Sequence, residues 1–596
     1  MTLFRDLLIE KKRRKYYCEV EYLESDGNQY IDTGFVMESG KRMTFNGNMM
    51  WTQSQGNANF FYGYRSTSSA EYRGDMRAFF IYGASPAGRV AIRYGVNTDN
   101  STNVAVSLNT KFNMSFDGDN LKVDGITYAT LTQEYTPADY RSMWLFNCNT
   151  MGYFSADVNH FIGRIYNWQI WSGGVLVRDF IPVLDWNMTP CLYDKVTETL
   201  FYNQGSGSFT YGREIHYVDY LESTGAQYID TGITLTNNHS VEVDYQLTSA
   251  SQNRKGIFGG LIANGARFGA LLSPSNNYLE FGYGSTNVFY QPGLPDTNRH
   301  VMKQEKNLLY FDGVLTYTFS TATFTQNFTA PLGNFIYTNY NPASAKYYSS
   351  KWWDGNTLVR DYKPAIDENG VGFMFDRVSH TCFLNAGTGA FKYPAKQVSY
   401  LQSTGKQYID TNYMPNQDTK IELIGKFNNT FPGCLWATRW SQSPNYDTYG
   451  AYAENNSERM LYIYYGRYSS GSFTSVSNST FPHRDGNFIS FIQDKNKLDF
   501  TNLGTNDNWT YTFSETTFQS TRNLTLFYFS SSSAFATKGG YIKSCKIWDN
   551  NVMVRDMVTC FKDGVMGMWD KANSVFYQNA GTDSFSVGKV VEPEYE

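Results

Sequence analysis

One block of residues recurs three times along this 596-residue chain, and the repeat restricts the possible folds more than any other feature. The block opens with YLESDGNQYIDTG at residues 22–34, YLESTGAQYIDTG at 220–232 and YLQSTGKQYIDTN at 400–412. Solenoid and propeller repeats have periods of about 20–50 residues. Successive openings here lie 198 and 180 residues apart, so each copy is long enough to enclose its own hydrophobic core.

Each copy also closes on a shared motif. The closing segments read LVRDFIPVLDWNMTPCLYDKVTETLFYNQGSGSF at residues 176–209, LVRDYKPAIDENGVGFMFDRVSHTCFLNAGTGAF at 358–391 and MVRDMVTCFKDGVMGMWDKANSVFYQNAGTDSF at 553–585. The paired motifs therefore indicate three whole domains in series behind a short arm. The arm is predicted at residues 1–16, and the domains at residues 17–212, 213–394 and 395–596.

Strand and turn signals fill the copies. Aromatic residues make up 17% of the chain and glycines number 50; aromatic side chains favour pleated sheets, and glycine favours tight turns. The segments LLYFDGVLTYTF and KVDGITY each place an Asp-Gly pair, Asp312-Gly313 and Asp124-Gly125, where a type I′ turn would join two strands. In the third copy residues 500–509 lengthen that turn into a loop. The chain is predicted to be all-β, with three tandem jelly-roll β-sandwich domains and a short helical, basic N-terminal arm.

Several repeated or divergent positions carry structural expectations. Each recurring Arg-Asp pair is expected to be structural, with one member of the pair making an ion pair inside its own domain. The aspartate of each IDT motif is expected to cap a turn. The second copy reads YYSSKWW at residues 347–353 where the first reads GRIYNWQIW, so we expect an altered sheet edge there. The pairs are Arg178-Asp179, Arg360-Asp361 and Arg555-Asp556, and the aspartates of the IDT motifs are Asp32, Asp230 and Asp410.

The N-terminal arm combines an apolar stripe with a basic run. Its apolar residues fall on one face at helical spacing, and five consecutive bases follow at the predicted helix end, where positive charge is favourable. The arm is interpreted as a frayed basic tail, as a docking segment that lays its stripe in a partner's groove, or as a membrane-surface helix. On the docking interpretation the anchoring residues are Leu3, Phe4, Leu7, Leu8, Lys11, Lys12, Arg13 and Arg14.

Charge and hydropathy argue against two classes of partner. The net charge of −5 provides no basic footprint of the kind that nucleic-acid binding requires. No run of about 18 apolar residues is present, so no membrane span is predicted. The opening MTLFRDLLIEKKRRK lacks the apolar core and cleavage site of a secretory signal. We therefore expect synthesis in a cytoplasm, without export by that route.

Metal and redox chemistry have no recognisable motif in the sequence. The seven cysteines form no CxxC pair and do not recur at equivalent positions of the copies, so they are interpreted as small apolar core residues. The six histidines are scattered without zinc-ligand spacing. No cofactor or metal is predicted. Calcium, which oxygen ligands on loops can hold, stays open.

A glycosidase needs two carboxylates, about 5–5.5 Å apart in a retaining enzyme. Glu242 and Asp244 have the i, i+2 spacing that places two side chains on one face of a strand. By motif offset the corresponding residues are Thr44 and Asn46 in the first copy and Glu422 and Ile424 in the third. Since one copy of three carries both acids, the protein is not expected to be an enzyme.

The opening YLESTGxQYIDTG and the closing LVRDxxP…YDK…FYNxGSGxF resemble a concanavalin A-like (LamG-like) jelly-roll module of gut bacteria and their phages. The resemblance covers almost all of residues 17–588. Three such modules behind a short arm resemble a virion protein of a tailed, crAss-like bacteriophage. That resemblance implies a structural, decoration or fibre protein located in the virion, with lectin-like modules for carbohydrate binding during host attachment.

Ligand specificity is expected where the copies differ, at residues 51–82, 251–290 and 436–468. Exposed aromatic side chains there would stack on sugar faces, although most aromatic side chains of a β-sandwich belong to the core. The candidate glycan-binding residues are Tyr72, Tyr283, Trp440, Tyr446 and Tyr449.

The expected partners are other virion proteins, bound through the arm, and host-surface polysaccharide. A homo-oligomer is compatible with the sequence. Two alternatives stay open: a purely structural virion component that binds only other virion proteins, and a bacterial glycan-binding or glycan-degrading protein.

Overall fold

The computed structural model describes most of the chain. The described residues are 13–38, 41–53, 58–65, 76–81, 89–94, 100–130, 141–150, 159–261, 265–273, 278–290, 295–337, 341–427, 433–439, 446–453, 461–468, 475–478, 485–514, 517–528 and 539–594. They form strands, turns, bends and single bridges, without a helix. The prediction of a helical arm is therefore wrong for residues 13–16, the described end of the arm. None of the described segments is a helix of the length and apolarity needed to cross a membrane.

The strands fall into three sets, one for each copy of the repeat, and the copies are called modules 1, 2 and 3. Module 1 contains β1 (Cys18–Val20), β2 (Leu23–Asp26), β3 (Ile31–Val36), β4 (Met43–Trp51), β5 (Ala58–Arg65), β6 (Met76–Ile81), β7 (Arg89–Tyr94), β8 (Asn100–Ala105), β9 (Lys111–Phe116), β10 (Asn120–Val123), β11 (Ile126–Thr130), β12 (Ser142–Leu145), β13 (Asn149–Thr150), β14 (Asn159–His160), β15 (Ile162–Ser172), β16 (Val175–Leu184), β17 (Pro190–Asp194), β18 (Thr199–Phe201) and β19 (Thr210–Tyr211). Module 2 contains β20 (Glu214–Tyr217), β21 (Leu221–Thr224), β22 (Ile229–Asp230), β23 (His239–Leu247), β24 (Lys255–Leu261), β25 (Arg267–Leu272), β26 (Leu279–Gly284), β27 (Thr286–Tyr290), β28 (Arg299–Glu305), β29 (Leu308–Phe311), β30 (Val314–Thr318), β31 (Pro331–Leu332), β32 (Asn341–Pro342), β33 (Ser344–Asp354), β34 (Thr357–Ile366), β35 (Gly372–Asp376) and β36 (Thr381–Phe383). Module 3 contains β37 (Lys396–Gln397), β38 (Leu401–Ser403), β39 (Ile409–Asp410), β40 (Thr419–Phe427), β41 (Gly433–Arg439), β42 (Tyr446–Ala453), β43 (Leu461–Tyr468), β44 (Ser475–Asn478), β45 (Ile489–Asp494), β46 (Lys497–Asn502), β47 (Asn508–Thr512), β48 (Thr525–Leu526), β49 (Gly540–Asp549), β50 (Val552–Lys562), β51 (Val565–Asp570), β52 (Val575–Gln578) and β53 (Ser586–Val587).

Every module has the same two antiparallel sheets. The longer sheet runs β11-β10-β9-β4-β15-β16-β17-β18 in module 1, β30-β29-β28-β23-β33-β34-β35-β36 in module 2 and β47-β46-β45-β40-β49-β50-β51-β52 in module 3. The shorter sheet runs β3-β12-β5-β6-β7-β8, β22-β31-β24-β25-β26-β27 and β39-β48-β41-β42-β43-β44. One topology used three times confirms the predicted class, three tandem jelly-roll β-sandwiches.

Aromatic side chains fill the space between the two sheets. In module 1 the buried ring of Trp168 on the longer sheet lies 4.9 Å from the ring of Tyr62 on the shorter sheet. In module 3 Trp436 and Phe491 make the same kind of contact across the sandwich, at 5.3 Å. Alternate residues of each strand point inward, so many of the aromatic side chains of the sequence are buried in these cores.

The closing-motif arginine ties the two ends of each module together. In modules 1 and 3 its Nε donates to the carbonyl oxygen of the opening-motif threonine, from Arg178 to Thr33 at 3.0 Å and from Arg555 to Thr411 at 2.9 Å. In module 2 the donor to that carbonyl oxygen is Nη2 of Arg360, at 3.3 Å. The Nε of Arg178 also lies 3.7 Å from the fully buried carboxylate of Asp194 in module 1. This confirms that one member of each repeated Arg-Asp pair makes an ion pair inside its own domain, and that member is the arginine. The matching buried acids in modules 2 and 3 are Asp376 and Asp570.

The two predicted type I′ hairpin turns are confirmed. Asp124 and Gly125 have φ of 50° and 79°, and Asp312 and Gly313 have 49° and 79°, as a type I′ turn requires.

The altered sheet edge predicted for the second copy is wrong. The divergent YYSSKWW segment lies in the interior strand β33, which pairs with β21, β23 and β34. These pairings match those of the equivalent β15 and β49, because backbone pairing depends little on the side chains that changed.

The chain divides into two compact units. Unit 1 consists of Met1–Glu368, Gly372–Gly389 and Glu592–Glu596, and unit 2 of Asn369–Val371 and Ala390–Val591. Modules 1 and 2 therefore share unit 1. Within this unit β1 pairs antiparallel with β20, Glu19 opposite Ile215 and Val20 opposite Glu214, and joins the two longer sheets into one.

Candidate functional site: an aromatic and basic cleft in module 2

The predicted glycan-binding residues do not form a site among the described residues. Tyr283 is 3% exposed and its ring contacts Phe324 at 5.2 Å. Tyr449 has no exposed surface and stacks on Phe518 at 5.5 Å. Neither ring has a face free for a sugar, because these strand positions point into the sandwich core. Outside the described part of the chain lie Tyr72, Trp440 and the side chain of Tyr446.

Arg14, the last of the predicted anchoring residues, contacts the other end of the chain. Its backbone N–H donates to the carbonyl oxygen of Glu594 at 2.8 Å, and its guanidinium pairs with Glu592 at 2.9 Å. Its carbonyl oxygen accepts a hydrogen bond from the indole of Trp186. Arg14 therefore stabilises unit 1 internally and is not free to anchor a partner, whereas Arg13 is exposed. Outside the described residues lie Leu3, Phe4, Leu7, Leu8, Lys11 and Lys12.

A cleft of about 570 Å³ in module 2 brings together aromatic and basic side chains. Its lining residues are Tyr217, Val218, Asp219, Tyr220, Arg299, Tyr348, Lys363, Pro364 and Arg377. They come from the end of β20 and the segment joining it to β21, from strands β28, β33 and β34, and from the turn after β35. Because these strands belong to one sheet, with only β23 between β28 and β33, residues far apart in sequence meet on one surface.

Arg299, Tyr348 and Tyr220 form a stack at one side of the cleft. The Arg299 guanidinium lies 3.8 Å from the ring centroid of Tyr348, and the rings of Tyr348 and Tyr220 meet edge to face at 5.6 Å. The Tyr348 hydroxyl donates to Gln246 at 2.7 Å, which fixes the ring. Burial raises the pKa of Tyr348, so its hydroxyl stays protonated at neutral pH. This stack is a rigid surface with charge and aromatic area side by side.

The cleft is lined by three cationic side chains and one carboxylate, that of Asp219. Arg299 is held by a bidentate pair with Asp244, at 2.8 and 2.6 Å, and this hydrogen bonding raises the pKa of Arg299. Arg377 donates from Nε and Nη2 to a single oxygen of Asp361, Oδ2, at 3.0 and 2.5 Å. Each pair uses two of the five N–H donors of a guanidinium. Lys363 forms no ion pair with any described residue.

In module 1 the equivalent cleft is filled by a turn of module 2. At the places of Tyr220, Tyr348 and Arg299, module 1 has Tyr22, Tyr166 and Lys111. Lys111 Nζ donates to the carbonyl oxygen of Ser379 at 2.6 Å and lies over the Tyr166 ring at 3.6 Å. Asn167 donates to the carbonyl oxygen of Val378 at 3.0 Å. The cleft is thus a recurrent feature of the module, and in module 1 it binds backbone carbonyls.

Module 3 also combines aromatic and basic side chains at the equivalent place, although the residues differ. The Lys543 ammonium lies 4.0 Å from the ring centroid of Phe488, and Lys426 lies 4.4 Å from that of Tyr541. Tyr400 contacts the Tyr541 ring edge to face at 5.2 Å. Aromatic and basic side chains therefore occur at this place in all three modules. The one signal for this cleft in the sequence was the tyrosine that begins each opening motif, Tyr22, Tyr220 or Tyr400.

Neither a family profile nor a curated protein sequence matches this chain. Solved structures that resemble it include the LG1–3 region of the laminin α2 chain, at 10% identity and a TM-score of 0.25, covering 96% of this chain and 100% of that one. Domains LG4–5 of the mouse laminin α1 chain match at 12% identity and a TM-score of 0.26, over 64% of this chain and 98% of that one. Such low scores carry no argument about function. The fold itself defines the class: a tandem jelly-roll β-sandwich protein.

Proposed function

We propose that this protein binds acidic carbohydrate through the cleft of module 2, as a lectin-like component of a phage virion that contacts the host surface. The observation that carries the proposal is the convergence of Arg299, Lys363 and Arg377 with Tyr220 and Tyr348 on one cleft. The virion setting rests on the resemblance of the repeated motifs to phage modules.

The chemistry of the cleft suits a sugar that carries a carboxylate or sulfate. Guanidinium groups bind such oxyanions with paired, charge-assisted hydrogen bonds. Arg299 and Arg377 retain unused N–H donors, and the Lys363 ammonium supplies a further positive charge. The tyrosine rings provide apolar area against which a sugar ring can pack. A neutral glycan would leave the Lys363 ammonium without a counter-charge and would not use the remaining guanidinium donors for charge-assisted hydrogen bonds, so we expect it to bind more weakly.

We propose binding without catalysis. Asp244, one of the two acids with glycosidase-like spacing, is held in the bidentate pair with Arg299. A carboxylate fixed in this way is a poor nucleophile or acid, because protonation or attack must first break the pair. The strand register also corrects the offset used for module 1: Asn46 and Asn48 are the residues equivalent to Glu242 and Asp244. Amides at those positions favour the same conclusion.

A polysaccharide array with the full chain, followed by calorimetry on an acidic oligosaccharide that binds, tests the proposal. Lys363→Ala is expected to lower the affinity about tenfold, the value of one charged hydrogen bond. Lys303→Ala is the matched control, since Lys303 lies on β28 outside the cleft and pairs with Glu305. Absence of any acidic ligand on the array, or equal losses in both variants, would contradict the proposal.

One observation favours a second candidate, a purely structural role. The equivalent cleft of module 1 holds the 378–381 turn of module 2, so the cleft of module 2 could receive the same kind of turn from another chain. Sedimentation of the full chain separates the two roles. Self-association that Lys363→Ala abolishes, without glycan binding, would favour the structural role.

A further inference from the structure

Cys18 and His216 are equivalent residues of modules 1 and 2, each four positions before the opening tyrosine. Their strands pair antiparallel with Glu19 opposite Ile215, and this register places Cys18 opposite His216. Glu214 lies two residues before His216, so its side chain is on the same face of the strand. All three side chains are buried.

We propose that Cys18, Glu214 and His216 form a Zn²⁺ site that fastens module 1 to module 2. Their ligand atoms lie within 4.8 Å of one another. A thiolate, an imidazole and a carboxylate form a ligand set typical of zinc, at bond lengths of about 2.0–2.3 Å. A small inward shift brings the three atoms to those distances. Bidentate binding by Glu214 would complete four-coordination.

Glu592 supplies the outer contact that zinc-bound histidines usually have. One of its carboxylate oxygens lies 2.9 Å from His216 Nδ1, and the other pairs with Arg14 at 2.9 Å. His216 Nε2 lies 2.9 Å from Glu214 and faces the proposed metal position. A carboxylate on one ring nitrogen orients the imidazole and strengthens the other nitrogen as a ligand.

Charge balance allows the exchange of protons for metal. Each ring nitrogen of His216 contacts a carboxylate oxygen, and an imidazolium, which donates from both nitrogens, would satisfy both contacts in the metal-free protein. With Arg14 and the two glutamates, the metal-free cluster is then neutral. Zinc binding releases one proton from His216 and one from the Cys18 thiol. Two positive charges leave and two enter, and the buried site stays neutral.

The site would be unique to the joint between modules 1 and 2. Module 3 has Lys396 at the position of Cys18 and His216, and an ammonium does not bind zinc. The expected stoichiometry is therefore one Zn²⁺ per chain. Since β1 and β20 join the two longer sheets, the metal would resist separation of the modules.

Metal titration of the full chain tests this proposal. The protein, kept reduced and stripped with a chelator, is titrated with Zn²⁺ by calorimetry and with Co²⁺ by absorption. One equivalent of Zn²⁺ and a thiolate-to-cobalt charge-transfer band are expected. Cys18→Ser should remove the band, and Glu592→Gln should weaken Zn²⁺ binding about 10- to 100-fold. Zn²⁺ should also raise the melting temperature of the wild-type chain.

Cys545→Ser is the control, because Cys545 is equally buried but lies in the core of module 3. It should retain both the band and the affinity. Failure of the wild-type chain to take up Zn²⁺, or a band that persists in Cys18→Ser, would overturn the proposal. If Cys18→Ser does not fold, Glu592→Gln decides, since glutamine keeps the shape of glutamate; unchanged affinity in that variant would also overturn it.

Discussion

The imidazole Nε2 of His380 donates a hydrogen bond to the carbonyl oxygen of Val20, 2.9 Å away, and so joins a turn of module 2 to the first strand of module 1. The ring is buried, and it meets the ring of Phe375 edge to face at 4.8 Å. Burial, with a smaller contribution from the nearby cations of Lys111 and Lys195, lowers the pKa of His380 to about 3. The folded protein therefore holds this histidine neutral.

This histidine should make unit 1 sensitive to acid. The unfolded chain has a histidine pKa of about 6.5, so below that pH it binds a proton that the folded chain does not. The contribution to stability is complete above about pH 6.5 and is lost as the pH falls toward about 3, by at most about 1.4 kcal/mol per pH unit. Urea unfolding at several pH values measures it.

The difference between variants isolates the contribution of His380 from that of other groups. His380→Gln keeps a donor for Val20 but does not titrate, so its stability should fall less steeply with acid than that of the wild type. His300→Gln is the control, because His300 lies between Asp296 and Asp312 at the surface, where these carboxylates raise its pKa despite partial burial. Equal slopes for wild type and His380→Gln would show that the prediction is wrong.

Gly47 makes room for Trp168 in the core of module 1. A Cβ on Gly47 would lie 2.1 Å from the indole ring. Gly47→Ala should therefore cost about 1–3 kcal/mol through overpacking. Trp168→Leu frees the same space, so the double variant should lose less stability than the sum of the single losses. Chemical denaturation of the four proteins gives the coupling energy, and strict additivity would contradict the contact.

The buried carboxylate of Asp570 should be important for the stability of module 3. It accepts hydrogen bonds from the backbone N–H of Asp556 at 2.9 Å and from Asn573 at 2.7 Å, and it faces Arg555 at 3.8 Å. Asp570→Ala leaves these donors and a charge unpaired, at a cost of about 3–5 kcal/mol. Lys406→Ala, which breaks an exposed pair, should leave the thermal melt unchanged.

Binding of an acidic saccharide in the cleft of module 2 should weaken as salt is added, because the attraction is partly screened. Arg299→Lys keeps the charge but loses the planar fork that binds oxyanions and stacks on Tyr348. We expect it to lower the affinity about tenfold without removing the salt dependence. Titrations at two salt concentrations measure both effects. If Arg299→Lys binds with wild-type affinity, neither the planar shape of the guanidinium nor its stacking on Tyr348 contributes to binding, and the prediction is wrong.

The sequence alone was sufficient for the architecture. The type I′ turns at Asp124 and Asp312 depend on local backbone preferences, and these are written in the neighbouring residues. The repeat then extends each local inference to three copies. Arg178 could be assigned a structural role for the same reason, since a motif shared by all three modules points to their common scaffold.

The site was decided by tertiary structure. Tyr449 and Tyr348 are both strand tyrosines, yet one is buried in the core and the other lines a cleft, because a shift of one residue in register reverses the face on which a side chain lies. Cys18 and His216 are 198 residues apart and meet only because β1 pairs with β20. Local preference fixes strands and turns, whereas the pairing of distant strands fixes which side chains become neighbours.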